Sequence, residues 1–114
     1  MEGAARDKVN LIAKSVGTMV AMLLLPQIAV KVNKIILCGV PSVSSERRKL
    51  FQDALKDFPI KNIICFQNRQ DPICSYREVK VFLRQVNPQI RVVEMPRHDH
   101  HYPYFAEFQK FLFA

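Results

Sequence analysis

Three stretches of this chain carry side chains that could share one reaction. IAKSVGT (12 to 18) holds Ser15, CFQNRQDPICSY (65 to 76) holds Asp71, and VVEMPRHDHHYPYF (92 to 105) holds His98, His100 and His101. A hydroxyl, an imidazole and a carboxylate can form a proton relay for acyl transfer. The imidazole takes the hydroxyl proton as the oxygen attacks a carbonyl carbon, while the carboxylate holds the ring tautomer and stabilises the imidazolium. Each group also has a plainer use. Ser15 can cap the helix that follows it, and Asp71-Pro72 is a common turn starter. His98 and His100, two residues apart, could share a metal with Asp99, but no second ligand cluster exists elsewhere in the chain, so neither a metal nor a cofactor is expected.

The totals narrow the classes. A chain of 114 residues, 49% of them hydrophobic, can bury one core, and residues 1–114 are expected to form a single domain. Lysine and arginine outnumber aspartate and glutamate 17 to 10, for a net charge of +7, which raises nucleic acid as a partner. The basic residues are scattered, with one three-residue run (Arg47, Arg48, Lys49) and no stacking aromatics interleaved. They read as solvated faces rather than a nucleic-acid surface. Three cysteines, Cys38, Cys65 and Cys74, form no CxxC pair, so neither a disulfide framework nor a zinc knuckle is indicated and a reducing compartment is expected. The longest apolar run, Met19 to Leu25, stops at Pro26, well short of the roughly 20 residues a membrane span needs. The expected location is the cytoplasm, with no membrane partner.

Elements that could position the three stretches follow from hydrophobic period. Four nearly continuous bursts rich in Val and Ile, VNLIA (9 to 13), KIILCGV (34 to 40), NIICF (62 to 66) and IRVVEM (90 to 95), suit strands buried on both faces, as in a parallel sheet. Between and after them the apolar spacing becomes helical. One helix follows the first burst and is expected to end at Pro26; a second is capped by Ser44 or Ser45; a third is capped by Ser75; a fourth carries Phe105, Phe108, Phe111 and Leu112. This βαβαβαβα order predicts an α/β fold, a four-stranded parallel sheet with helices on both faces. Chemistry in such sheets gathers beyond the carboxyl ends of the strands. Ser15, Asp71 and the histidine loop all fall just past strand ends.

The chain order Ser, Asp, His and the segment AKSVGT resemble the α/β-hydrolase superfamily. KSVGT is similar to the KSLGT variant of its small serine hydrolases, in which a strand turns sharply into a helix and lifts the serine clear of the sheet. Ala13 and Gly17 hold the small positions, Ala13 being a departure from G-x-S-x-G. The resemblance implies Ser15 as nucleophile, Asp71 as the acid and His100, after Asp99 and before His101 and Tyr102, as the base. It implies the Val16 N–H as one oxyanion donor.

The likeness runs from residue 8 onward and covers only the later half of that fold, since residues 1–7 are too short to supply the strands that precede the elbow. The chain is therefore expected to be a truncated α/β-hydrolase-like domain lacking the loop that carries the second oxyanion donor, whose loss costs on the order of 10² to 10³ in turnover. Strand 9–13 would be an unpaired apolar edge, and two chains are expected to pair it antiparallel in a homodimer with one eight-stranded sheet. The expected function is a weak serine hydrolase of esterase or thioesterase type, acting on a small, exposed ester. The alternative is a catalytically inactive remnant serving as a homodimeric or partner-binding module.

Overall fold

The computed structural model describes residues 8–114; the reading of residues 1–7 as too short for further strands lies outside them. Four strands, β1 (Val9–Lys14), β2 (Val32–Cys38), β3 (Ile63–Asn68) and β4 (Arg91–Met95), alternate with four helices, α1 (Val16–Ile28), α2 (Ser45–Leu55), α3 (Tyr76–Val86) and α4 (Phe105–Leu112). All strand pairs are parallel and the spatial order is β1-β2-β3-β4. This is the α/β architecture that the continuous apolar bursts predict.

Crossovers of one hand that step in one direction across a sheet leave their helices on one face. Accordingly α1, α2 and α3 share a core with one side of the sheet, built on Met22, Leu25, Phe51, Val79, Phe82 and Leu83 against Ile35, Leu37, Ile63 and Cys65. Only α4, which follows the last strand, covers the opposite side, where Phe108 and Phe111 meet Ile36, Ile64 and Phe66. Phe51 and Phe82 meet edge to face, their centroids 5.2 Å apart, a favoured aromatic geometry.

Capping explains where two helices begin. Ser44 Oγ accepts the Arg47 N–H, and Ser75 and Glu78 form a reciprocal capping box. Two expectations are corrected. Pro26 lies inside α1, which runs on to Ile28; in the last turn its missing N–H removes a single ladder bond, and the Ala29–Lys31 3₁₀ turn then delivers the chain to β2. Phe105 is 69% exposed, because α4 turns Phe108 and Phe111 to the sheet instead.

The register brings the strand ends level. Lys14 pairs with Cys38, Cys38 with Phe66, and Phe66 with Val93. The segments after β1, β2, β3 and β4 therefore leave from one edge of the sheet, and those segments hold Ser15, Gly39, Asp71 and His100.

Candidate active site

The turn from β1 into α1 is made by Ser15 itself. Its backbone lies at φ 57°, ψ −129°, near the first central position of a type II′ turn, and it is the one non-glycine residue of positive φ among the described residues. The Ser15 N–H is held by the Cys38 carbonyl at 2.9 Å, and the Ser15 carbonyl accepts both the Thr18 N–H and the Thr18 hydroxyl. Its side chain makes no capping hydrogen bond to α1. The plainer role for this serine, a helix cap, is therefore unfilled, while the backbone carries strain of about 1–3 kcal/mol.

Relief of that strain is measurable. Ser15→Gly, which adopts positive φ without a Cβ penalty, should raise the unfolding free energy by about 1 kcal/mol once the extra unfolded-state entropy of glycine is subtracted. Ser15→Ala, which keeps the Cβ, should leave it unchanged. Thermal unfolding reads the difference as a rise of about 4–8 °C for the glycine variant alone.

Asp71 follows β3 and its side chain is wholly buried. One carboxylate oxygen accepts the Ile73 N–H at 2.9 Å. The other lies 2.7 Å from His100 Nδ1 and 2.7 Å from the Tyr102 hydroxyl. A carboxylate only accepts, so Nδ1 carries the hydrogen and donates, which leaves Nε2 of the neutral ring as a base. That Nε2 atom is buried and has no hydrogen-bond partner among the described residues. His98 and His101 are exposed, and His101 contributes only backbone groups, its N–H to Asp99 and its carbonyl to Asn68. The geometry joins Asp71 to His100 out of the three histidines.

The imidazole lies over the end of β2. A Cβ built on Gly39 would stand 2.9 Å from His100 Cε1 and 2.9 Å from Tyr102 Cε1, and Gly39 itself has φ +61°. Gly39 directly follows Cys38, whose carbonyl holds the Ser15 N–H, so ring and elbow flank the same strand terminus. No hydrogen bond joins Ser15 to His100.

Residues absent from the expected site do much of the positioning. The Tyr102 hydroxyl donates to Asp71 and accepts the Asn68 N–H, and burial pushes that phenol far above its usual range. Asn68 Nδ2 donates to the Asp99 and His101 carbonyls, pinning the histidine loop to the end of β3. Gln67 accepts the Val40 N–H and donates to the Cys74 carbonyl, tying the β2 loop to the acid loop. Gln67 and Asn68 are fully buried polar residues at the end of an apolar strand. No sequence signal marks them, because two polar residues after an apolar burst read as the start of a loop; once buried, such groups must find partners.

Charge and volume around the site are also defined. Arg97 clamps Asp99 through two nitrogens, holding that carboxyl well below the usual carboxylate range; this is a loop contact that Asp71 does not share. Burial pushes the Cys38 thiol up to about 12, against the opposing pull of Lys14, so the sulfur beside the elbow stays protonated and is a poor nucleophile. A cleft of about 560 Å³ lined by Arg69, Tyr76, Arg77, Lys80 and Glu94 contains none of Ser15, Asp71 or His100. The serine that lines this cleft, Ser75, is engaged with Glu78 in the capping box of α3. The described residues contain no cluster of three or more His, Cys, Asp or Glu able to hold a metal ion, and no helix long and apolar enough to cross a membrane.

The chain matches no family model and no curated protein sequence.

Proposed function

We propose that this chain is a serine hydrolase of α/β-hydrolase kinship that transfers the acyl group of a small ester or thioester to water through Ser15. The observation that carries this is the state of His100: Nδ1 is tied to a buried carboxylate, Nε2 has no partner among the described residues, and the ring lies against Gly39, next to the Cys38 carbonyl that holds the Ser15 N–H. A histidine kept for structure alone would use both nitrogens or face water.

In the reaction, Ser15 Oγ attacks the carbonyl carbon and its proton passes to His100 Nε2, while Asp71 stabilises the resulting imidazolium. The carbonyl oxygen gains negative charge and meets the Val16 N–H, one of the free donors of the first turn of α1. Collapse breaks the ester bond as His100 returns the proton to the leaving alcohol or thiol. Water then repeats the sequence on the acyl-serine. The Val40 N–H, the next candidate donor near the β2 end, is held by Gln67; a hole built on Val16 alone predicts slow turnover.

The absence of a hydrogen bond between Ser15 and His100 favours a second reading, a hydrolase-like scaffold kept as a binding module without turnover. Catalytic hydrogen bonds often close only around substrate, so turnover separates the two. Hydrolysis of a short-chain acyl thioester should fall by about 10²-fold or more in Ser15→Ala. Equal rates for the two proteins would leave only the binding module.

A further inference from the structure

The oxygen of Asp71 that meets His100 is held by a second donor as well. Oδ2 lies 2.7 Å from His100 Nδ1 and 2.7 Å from the Tyr102 hydroxyl, while Oδ1 accepts the Ile73 N–H. The carboxylate torsion of an aspartate is broad and roughly two-fold, so one hydrogen bond leaves the group free to turn and to exchange its oxygens. A fixed donor on each oxygen removes that freedom. Ile73, two residues on in the same loop, ties the carboxylate only to its own turn. Tyr102, from 31 residues away, ties it to the sheet, because the same hydroxyl accepts the N–H of Asn68, the last residue of β3, at 2.9 Å. The direction of the hydroxyl hydrogen follows. A backbone N–H only donates and a carboxylate only accepts, so the hydroxyl must accept from Asn68 and donate to Asp71. Burial pushes the phenol far above its usual range, which keeps that hydrogen in place. The Asp71 side chain is wholly buried, and no solvent-exposed side remains from which water could supply a substitute donor. Tyr102 also touches the base directly, its ring edge-on to the imidazole with centroids 6.0 Å apart and planes at 88°.

We propose that Tyr102 is a positioning residue for the base: its hydroxyl, oriented by the Asn68 N–H, locks the Asp71 carboxylate in the plane that presents Oδ2 to His100 Nδ1 and so holds the ring at the end of β2. Its effect on reaction rests on the serine-hydrolase reading; its effect on the ring does not. Tyr104 is the internal comparison. The Tyr104 hydroxyl donates to Asn68 Oδ1 at 2.5 Å, and its ring stands edge-on to that of Tyr102. Both tyrosines therefore bond Asn68 through their hydroxyls, and only that of Tyr102 reaches Asp71. Replacing either by phenylalanine keeps the ring and deletes one hydroxyl from the same loop. The two losses differ in whether the carboxylate is released.

Nuclear magnetic resonance of the whole isotope-labelled chain can follow the Nδ1 hydrogen of His100, which exchanges with water only when the ring leaves the carboxylate. Exchange should quicken about tenfold in Tyr102→Phe, the effect of losing one hydrogen bond to a charged group, and stay unchanged in Tyr104→Phe. Labelling by a fluorophosphonate should show the same contrast. Its maximal rate falls by about 10-fold to 10²-fold in Tyr102→Phe, with the concentration for half-maximal rate unchanged, and Tyr104→Phe labels as wild type does. Exchange in Tyr102→Phe as slow as in wild type would overturn the proposal. Equal quickening in the two variants would also overturn it, by showing that the hydroxyls act through Asn68 and the loop. A wild-type chain that takes no label removes the hydrolase reading and leaves the exchange comparison to decide the role of Tyr102. Circular dichroism checks folding. If Tyr102→Phe does not fold, 3-fluorotyrosine at position 102, a stronger donor of nearly the same shape, should slow exchange instead, and unaltered exchange there would overturn the proposal.

Discussion

Asp71→Asn should slow phosphonylation of Ser15 by a fluorophosphonate, in which the serine oxygen displaces fluoride at phosphorus, by on the order of 10³ to 10⁴ while the protein stays folded. The reason lies in how Asp71 is used. Its two oxygens accept three hydrogen bonds, from Ile73, His100 and Tyr102. An amide offers one oxygen. If that oxygen keeps the Ile73 N–H, the amide nitrogen faces Nδ1 and the imidazole must carry its hydrogen on Nε2, the wrong tautomer for a base. If it turns to His100 instead, the part-buried N–H of Ile73 loses its acceptor, and the cost shifts to stability at about 1 kcal/mol. Labelling kinetics and urea unfolding together separate these outcomes. An Asp71→Asn protein that is as stable and labels as fast as wild type would mean that Asp71 only shapes its turn.

Gly39→Ala should destabilise the protein by about 2–4 kcal/mol and displace His100. Two effects combine. At φ +61° an alanine pays about 1–2 kcal/mol in backbone strain. Its Cβ would also sit 2.9 Å from two ring carbons, and overpacking in a filled site costs about 1–3 kcal/mol. Neither ring gives way cheaply. His100 is pinned to Asp71, and Tyr102 is pinned to both Asp71 and Asn68. Gly17 is the internal comparison: a Cβ there meets nothing within 4 Å, so Gly17→Ala in α1 should be neutral or stabilising by up to about 1 kcal/mol. Urea unfolding of the pair gives opposite signs if Gly39 holds the ring in place, and similar values if it does not.

Much of the fold was legible because inner strands of a parallel sheet are apolar throughout. The bursts 9 to 13, 34 to 40, 62 to 66 and 90 to 95 overlap β1, β2, β3 and β4. The strand limits were less legible where polar residues are buried by neighbours rather than by their own chemistry. Gln67 and Asn68 end β3 as fully buried residues, yet in sequence they read as the start of a loop. At the other end, Val32 to Lys34 begin β2 beside an irregular register with β1, which no apolar run announces.

At the site, Asp71 and His100, which meet in the structure, could be named from residue types and the family resemblance, but the parts that hold them could not. The contacts of Gly39 with two rings, of Tyr102 with Asp71 and of Asn68 with the His101 carbonyl span 31 to 63 residues of chain. Local patterns carry no trace of such meetings. Nor does residue type reveal that Ser15 sits at positive φ; only the parallel register that levels the strand ends makes so tight a turn necessary.

Intact-mass and peptide mapping after exposure to a fluorophosphonate test the central claim most directly. A single phosphonyl adduct on the peptide bearing Ser15, absent from Ser15→Ala and from His100→Gln, is the expected result. No adduct on the folded wild-type chain, or one that persists at the same rate without His100, would contradict it.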